Sequence, residues 1–544
     1  MRDSVTQNNS KFVSRDLNRR NLFLVAGNAI ALLACPYVII RASGAPPVWA
    51  DGNPFSLGVA AGAPSPDGFV LWTRLAPNPF SQDPNSPGGM ATGDLSVDYE
   101  IATDPSLRNI IRRGQATAEK RYAHSVHLEI KGLMPARSYW YRFMVGDASS
   151  RMGRAVTAPI PNSPLERLRF GFVSCSNYEH GYFSAYRHLA DENPDLVLFL
   201  GDYIYENVDF SPSNVRKHSD GIAASTLPTY RNRYTQYRLD PDLQRLHAEV
   251  PALITWDDHE VQNDYADQWS ETFDDPKAFL RRRAAAYQAF YEHMPLRPSL
   301  SRPDGQSTRI YDRFTFGNLA KISMIDGRQY RSREACYKPP NHGGGHLETD
   351  EICRERLAED RSMIGAAQEQ WLYEGLASSR ARWNIIAQDV LMAQLRQKSQ
   401  DGSVWYWTDN WNGYPANRKR LMQHIQDSKV PNPIVLSGDI HSFWTNDLKI
   451  NFDDDRSPTI GTEFVGTSIS SRGVPYDKFT KFLPDNPHVR FFESRLRGYV
   501  SAELTNRLMT TRFQAITDVH DPSSSVSTLR TFAVEDGQPG AQPA

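Results

Sequence analysis

The sequence predicts a mixed α/β (α+β) fold, a β-sandwich flanked by helices, behind an N-terminal all-β domain. Three observations predict it. Between Phe55 and about Pro161 short runs alternate apolar and polar residues with turn residues between them. From Leu165 onward fully apolar runs of strand length alternate with runs of helical spacing. Fully apolar strands belong to sheets buried on both faces. Four of these runs end in residues that ligate metals: Cys175, Asp202 with Tyr205, Asp258, and Asp439 with His441. Functional groups gathered at strand ends are how α/β proteins build sites.

The elements follow in chain order. A polar start leads to Arg19 and Arg20, then to an apolar run from Leu22 to Ile40 broken by Gly27, Asn28 and Pro36. Ser43-Gly44-Ala45 offers the small residues a signal peptidase reads, with a second cut possible after Ala50. Residues 1–45 therefore read as an export signal. Its paired arginines resemble a twin-arginine signal, although Leu22-Phe23-Leu24 has no trailing lysine. The alternative is an uncleaved membrane anchor. Export implies a partner, the export machinery, and a periplasmic or secreted destination.

Residues 51–161 read as a fibronectin-like sandwich. Gly68 to Arg74, Val97 to Thr103, His124 to Ile130 and Ser138 to Met144 are its strands, and Leu133 to Arg142 resembles a tyrosine corner. Pro159, Pro161 and Pro164 form a linker. In residues 165–530, strands are expected at Leu168 to Val173, Leu196 to Leu200, Pro251 to Trp256, Arg309 to Phe316, Ala320 to Asp326, Trp383 to Gln388, Pro433 to Ser437 and Thr462 to Ile469. Helices are expected at Gly181 to Glu192, Pro276 to His293 and Ala366 to Ser379, with a polar loop-and-helix segment over Asp209 to Asp242. The Gly/Pro/Ala-containing residues 531–544 read as a disordered tail.

Composition excludes little but narrows the class. The 544 residues carry a formal net charge of −2, and the pI near 6.7 argues against a nucleic-acid binder. Phosphate chemistry stays open, because a metal cluster supplies positive charge locally. Of four cysteines, Cys35 leaves with the signal. Cys336 and Cys353 share one loop and can pair in an oxidising compartment. Cys175 is then an odd thiol, either a small buried residue or a metal ligand.

The motifs sharpen the metal reading. In Gly201-Asp202-x-x-Tyr205 a carboxylate with two oxygens can bridge two cations, and a tyrosine three residues on can reach one of them as phenolate. Asp257-Asp258-His259-Glu260 offers a carboxylate ligand and a histidine to bind an anion or give a proton. In Gly438-Asp439-x-His441 alternate residues face one way, so both can meet one centre. Each pattern alone is more often a turn, a solvated loop or a satisfied core histidine. Trp405, Trp407, Trp411 and Trp444 read as packing.

Taken together these residues resemble the metallophosphoesterases and, within them, the PhoD-like alkaline phosphatases. The resemblance rests on Phe55 to Gly62, Ser174-Cys175-Ser176, Leu200 to Glu206, Trp256 to Glu260, Asp326 to Arg331, Trp383 to Gln388 and Ser437 to His441. It implies a metallophosphoesterase-type sandwich with ferric iron (Fe3+) and calcium (Ca2+). Cys175, Asp202, Tyr205 and His441 would hold iron. Asp202 would bridge to calcium, with Asp258 and Asp439 on the calcium side and Gln388 or Asp389 as candidates for a further ion. Cys175 stands where an Asp usually opens the superfamily motif, and Asp258 where an Asn usually precedes His-Glu. A thiolate suits iron and a carboxylate suits calcium.

The expected activity is hydrolysis of phosphate monoesters, and of diesters, by metal-activated hydroxide. His259 would stabilise the transition state or protonate the leaving group. Arg328 would hold a phosphate oxygen or, equally, make a structural ion pair. The alternatives are a phosphodiesterase or phospholipase D-like enzyme on the same centre, and a non-catalytic metal-containing binding protein. A monomer is expected.

Overall fold

The computed structural model describes residue 49 and residues 52–544, apart from 82, 84, 91–92, 304–306 and 341–342. The expected export segment and both of its cut sites lie outside the described residues.

Two large sheets stack face to face. The first has ten strands, in the order Gln538–Pro543, Val526–Glu535, Leu508–Ile516, Gly498–Thr505, Arg167–Val173, Leu196–Leu200, Ala252–Thr255, Val59–Ser65, Gly68–Arg74 and Ser125–Ile130. The second has seven: Asp312–Phe316, Ala320–Met324, Trp383–Ala387, Pro433–Ser437, Thr459–Val465, Phe443–Lys449 and Val489–Glu493. At the centre of each sheet the strands run parallel.

Period-two alternation then sets the layers. Along Leu196–Leu200, Leu196, Leu198 and Leu200 join Phe170, Phe172, Ile322, Ile385, Leu436 and Phe464 in the core between the sheets. Val197 and Phe199 face the other way, among residues of the helices Ser184–Asp191, Leu227–Arg238 and Pro276–His293. Ile386, Val435 and Val465 on the outer face of the second sheet pack with residues of Ala366–Ala377 and Pro415–Asp427. Burial on both faces is why these strands carry no polar alternation. The helices begin on designed stops: Asp240 accepts from the N–H groups of Asp242 and Leu243, and Asp275 from that of Ala278.

The N-terminal β segment does not stand apart. Its strands Val59–Ser65, Gly68–Arg74 and Ser125–Ile130 extend the ten-stranded sheet through the parallel pair Gly62↔Ala252. Glycine permits that approach, since a Cβ at Gly62 would lie 2.7 Å from the Pro295 carbonyl oxygen. Strands Leu95–Ala102, Ile110–Ala118 and Ser138–Val145 lie in a second, five-stranded sheet. Leu71, Val97, Ile101, Tyr141 and Phe143 form the core between them. The tyrosine corner is closed by Tyr139, whose hydroxyl accepts from the Met134 N–H at 3.0 Å and donates to its carbonyl at 3.1 Å.

One expectation is overturned. Residues 531–544 are not a disordered tail but part of two paired strands at the sheet edge. Phe532, Val534 and Ala541 are 3%, 2% and 4% exposed. Gly537, at φ 75°, turns the hairpin, and Pro539 and Pro543 are tolerated because the strand is an edge. The composition resembles a linker, but three alternating apolar side chains suffice once a sheet edge receives them. Phe532→Ala should therefore cost about 3 kcal/mol or more of unfolding free energy in urea. A loss near zero would place this hairpin outside the core.

Candidate metal centre

The central strands of both sheets deliver their C-terminal loops to one place. Cys175 follows Arg167–Val173, Asp202 and Tyr205 follow Leu196–Leu200, and Asp257 to Glu260 follow Ala252–Thr255. From the facing sheet, Asp389 follows Trp383–Ala387, and Asp439 and His441 follow Pro433–Ser437. The turns are tight. Cys175, Asp202, Asp439 and His441 adopt φ of 61°, 52°, 62° and 50°, a region uncommon for non-glycine residues and concentrated at functional sites. Gly201, at φ 96°, is obligatory, because a Cβ there would meet that of Asp257 at 2.3 Å. Glu260 ties two loops together by accepting from the N–H groups of Asp202 (3.1 Å), Tyr203 (2.6 Å) and Asp257 (2.9 Å).

Three groups of donors converge, each within 4.8 Å: Cys175, Asp202 and His441; Asp202, Asp258 and His259; Asp258, Asp264 and Asp409. Asp202 and Asp258 each belong to two groups, so the three form a chain.

The first group is arranged for a cation. The Tyr205 hydroxyl lies 2.7 Å from Asp202 Oδ2 and 3.0 Å from His441 Nε2, and accepts from Ser471 Oγ at 2.7 Å. One phenolic proton cannot serve both the carboxylate and the imidazole. His441 Nδ1 lies 2.8 Å from the Arg472 carbonyl, so its proton sits there and Nε2 presents a lone pair. Burial and Arg497 hold His441 neutral, pulling its pKa down to about 3. Asp202 Oδ1 is buried with no hydrogen-bond partner. The Cys175 thiol is pushed well up, chiefly by burial and then by Asp202. These are the properties of ligands lacking their counter-charge, which a multivalent cation reverses.

The carboxylates tell the same story. Burial, then Asp409 and Asp258, push Asp439 up to about 8. Burial raises Asp264 well above the usual range, with Asp409 and Asp258 adding to it. Asp389 is raised to about 6 by burial, and neither of its oxygens has a hydrogen-bond partner. Asp258 differs. Burial would raise it, but Arg328 and His259 outweigh that and hold it low.

His259 lies against the Tyr205 ring, centroids 4.2 Å apart. Its Nδ1 is 2.7 Å from Oε2 of the fully buried Glu206. Burial disfavours its charge, yet Glu206, Asp258 and Asp202 together raise it well above the ordinary histidine range.

Of the two expectations for Arg328, phosphate contact and structural ion pair, the geometry favours the ion pair. Arg328 is 0% exposed. Its Nε donates to Asp257 at 2.6 Å, and Nη1 and Nη2 donate to Asp409 at 2.6 and 2.8 Å. It is a buried ion-pair hub, with Asp258 and Asp389 also 3.8 and 3.7 Å from its nitrogens. The reading from sequence also missed Asp264, Asp409 and Glu206. Asp264 follows no apolar run, and the tryptophans of the strand before Asp409, Val404–Trp407, read as packing. Glu206 adjoins Tyr205 and was open to recognition as a partner for His259. Gln388, the other candidate for a further ion, is engaged with Ser437 and Trp411.

Comparisons with known proteins identify the family. The family described as PhoD-like phosphatase matches residues 170–513, and that described as PhoD-like phosphatase, N-terminal domain, matches residues 42–159. The chain is 41% identical over 543 residues to alkaline phosphatase D of Bacillus subtilis (strain 168), covering 97% of this chain and 89% of that protein. It is 24% identical over 172 residues to purple acid phosphatase 15 of Arabidopsis thaliana, covering 30% and 31%. A solved structure described as that of PhoD superposes with a TM-score of 0.85 at 41% identity, covering 92% and 93% of the two chains. The purple acid phosphatase PPD1 of yellow lupin shares the fold, with a TM-score of 0.55 at 11% identity, covering 90% and 74%.

Removing Arg328 should leave Asp257 buried without its cation and Asp409 with Arg331 alone, at 2.8 Å. Arg328→Ala is expected to lose about 3–5 kcal/mol of stability, and Arg328→Lys to recover little because lysine lacks the fork. An Arg328→Ala protein of unchanged stability with only a raised KM would instead make it a substrate contact.

Proposed function

The chain belongs to the PhoD-like phosphatase family, and from that premise we propose that it is an exported, metal-dependent alkaline phosphatase acting on phosphate monoesters and also on diesters. As a member it is a phosphoric ester hydrolase. The observation that carries the metal reading is the convergence of Cys175, Asp202, Tyr205 and His441 around one orphaned carboxylate oxygen.

These four residues would hold ferric iron, for which thiolate, phenolate, imidazole and carboxylate form a fitting donor set. Asp202, Asp258 and Asp439 would hold calcium, with Asp264 and Asp409 available to a further ion. Bound cations neutralise phosphoryl oxygens and acidify water at neutral pH.

The chain's own residues supply the rest. His259, held charged by Glu206, donates from Nε2 to a phosphoryl oxygen or to the departing alkoxide. Arg328 touches no substrate and keeps Asp257 and Asp409 in place. Glu260 fixes the spacing of the Asp202 and Asp258 loops.

Export is supported by the arginine-paired N-terminal segment and by the Cys336–Cys353 disulfide, a bond at home in an oxidising compartment. Among the described residues no helix is long and apolar enough to cross a membrane. A monomer acting on phosphate esters completes the proposal.

Asp202→Asn removes the shared carboxylate while preserving shape. Phosphate-ester hydrolysis should fall by about three orders of magnitude or more, with the circular dichroism spectrum and thermal midpoint retained. Full activity in the well-folded variant would defeat the assignment.

A further inference from the structure

Three arginines meet where the N-terminal β segment joins the two large sheets. Arg137, Arg154 and Arg167 line a cleft of about 170 Å³. Arg154 comes from the strand Gly153–Val156, and Arg167 opens the strand Arg167–Val173. Val156 pairs with Ser138 in an antiparallel ladder, so Arg154, Val156 and Ser138 share one face, and all three reach the cleft. Arg137 is held in place by its carbonyl, which accepts from the Thr157 N–H at 3.0 Å. Leu168, Leu196 and Phe316 of the core between the sheets add apolar lining.

The cleft lies away from the metal centre. Arg167 and Leu196 stand at the starts of two central strands whose far ends lead to Cys175 and Asp202. Roughly 20 Å of extended chain separates the two places.

The arginines have few partners of their own. None of the three forms an ion pair with a described residue. Arg137 and Arg167 are exposed, and their guanidiniums donate to no described residue. Arg154 is half-buried, and its hydrogen bonds are long, 3.3 Å to the Glu249 carbonyl and 3.4 Å to Ser138 Oγ. Burial lowers its pKa, Asp195 resists the lowering and Arg169 adds to it. Asp195 is the one acidic residue among the described lining, and its Oδ2 already accepts from the Arg169 N–H at 2.8 Å.

Three guanidiniums against one carboxylate leave an excess of two positive charges in the lining. Like charges drawn together at reduced dielectric repel until an anion joins them. Guanidinium forks match phosphate oxygens in pairs, with geometry that an ammonium does not offer. A phosphate dianion cancels the whole excess, and a single carboxylate cancels half of it. A cavity of about 150 Å³ holds a benzene ring, so phosphate fits here with or without a small organic group.

We propose that this cleft is a second anion site, in which Arg137, Arg154 and Arg167 bind a phosphate dianion, either free or borne by a small organic monoester. No donor of the metal centre lines it, so it binds without hydrolysing. The proposal does not depend on the phosphatase reading.

Equilibrium dialysis of the metal-loaded protein against radiolabelled inorganic phosphate, at about 0.15 M ionic strength, tests it. The wild type should bind one more phosphate per chain than the double variant Arg137→Gln with Arg167→Gln. Both substituted side chains are exposed, so the thermal midpoint and phosphate-ester hydrolysis should be unchanged. Arg154→Gln, made separately, should weaken the same site about tenfold or more. Unlabelled phenylphosphonate, whose P–C bond is not hydrolysed, separates the two sources. Displacement of the arginine-dependent phosphate at lower concentrations than unlabelled phosphate requires assigns the cleft to an organic monoester. Displacement no better than that by phosphate assigns it to the free ion. Equal numbers of bound phosphates and equal affinities in the wild type and in both arginine variants overturn the proposal, whatever the hydrolytic activity.

Discussion

The structure turns on an imbalance of charge. Asp202, Asp257, Asp258, Asp389 and Asp439 crowd the ends of the central strands, with Asp264 and Asp409 from neighbouring loops, all buried or half-buried. Arg328 lies among them, hydrogen-bonded to Asp257 and Asp409 and more distantly paired with Asp258 and Asp389, and Arg331 shares Asp409. Carboxylates in a low-dielectric interior cannot all ionise without compensation, and the upward shifts of Asp439, Asp264 and Asp389 express that conflict. Bound cations would relieve it, so that stability and the proposed chemistry would share one cause.

The sheets exist in the form that this centre needs. Parallel strands in both layers bring their C-terminal loops to a common edge, and the apolar core between the layers fixes the distance across it. Loops from one sheet supply Cys175, Asp202 and Asp258, and loops from the other supply Asp389, Asp439 and His441. Neither sheet alone carries a complete donor set. The cysteines divide the same way. Cys336 and Cys353 are joined, while Cys175 stays reduced and buried beside a carboxylate.

The sequence made the centre legible where ligands follow apolar runs, because a buried strand fixes where its next residues go. Cys175, Asp202, Tyr205, Asp258, Asp439 and His441 were readable on that ground, and the structure brings them together. Arg328 was not. A sequence tells that an arginine is near a strand end but not which way its side chain points, and here burial turns it from the solvent to Asp257 and Asp409. Asp264 lies in a loop without a strand to mark it, and Asp409 follows a strand whose tryptophans read as packing. The edge hairpin at the C-terminus was hidden by composition. The pairing of Gly62 with Ala252 has no local signal at all, because a parallel contact between distant segments is decided by tertiary packing.

The central claim is that Cys175 and Tyr205 select ferric iron at one end of a chain of carboxylates that takes calcium. Metal analysis of the purified protein, read together with its visible absorption spectrum, tests this most directly. The account predicts iron and calcium in the same molecule. It also predicts a visible ligand-to-iron band that changes in Cys175→Ser and is lost in Tyr205→Phe. Calcium without iron, or iron with a spectrum indifferent to both substitutions, would contradict it.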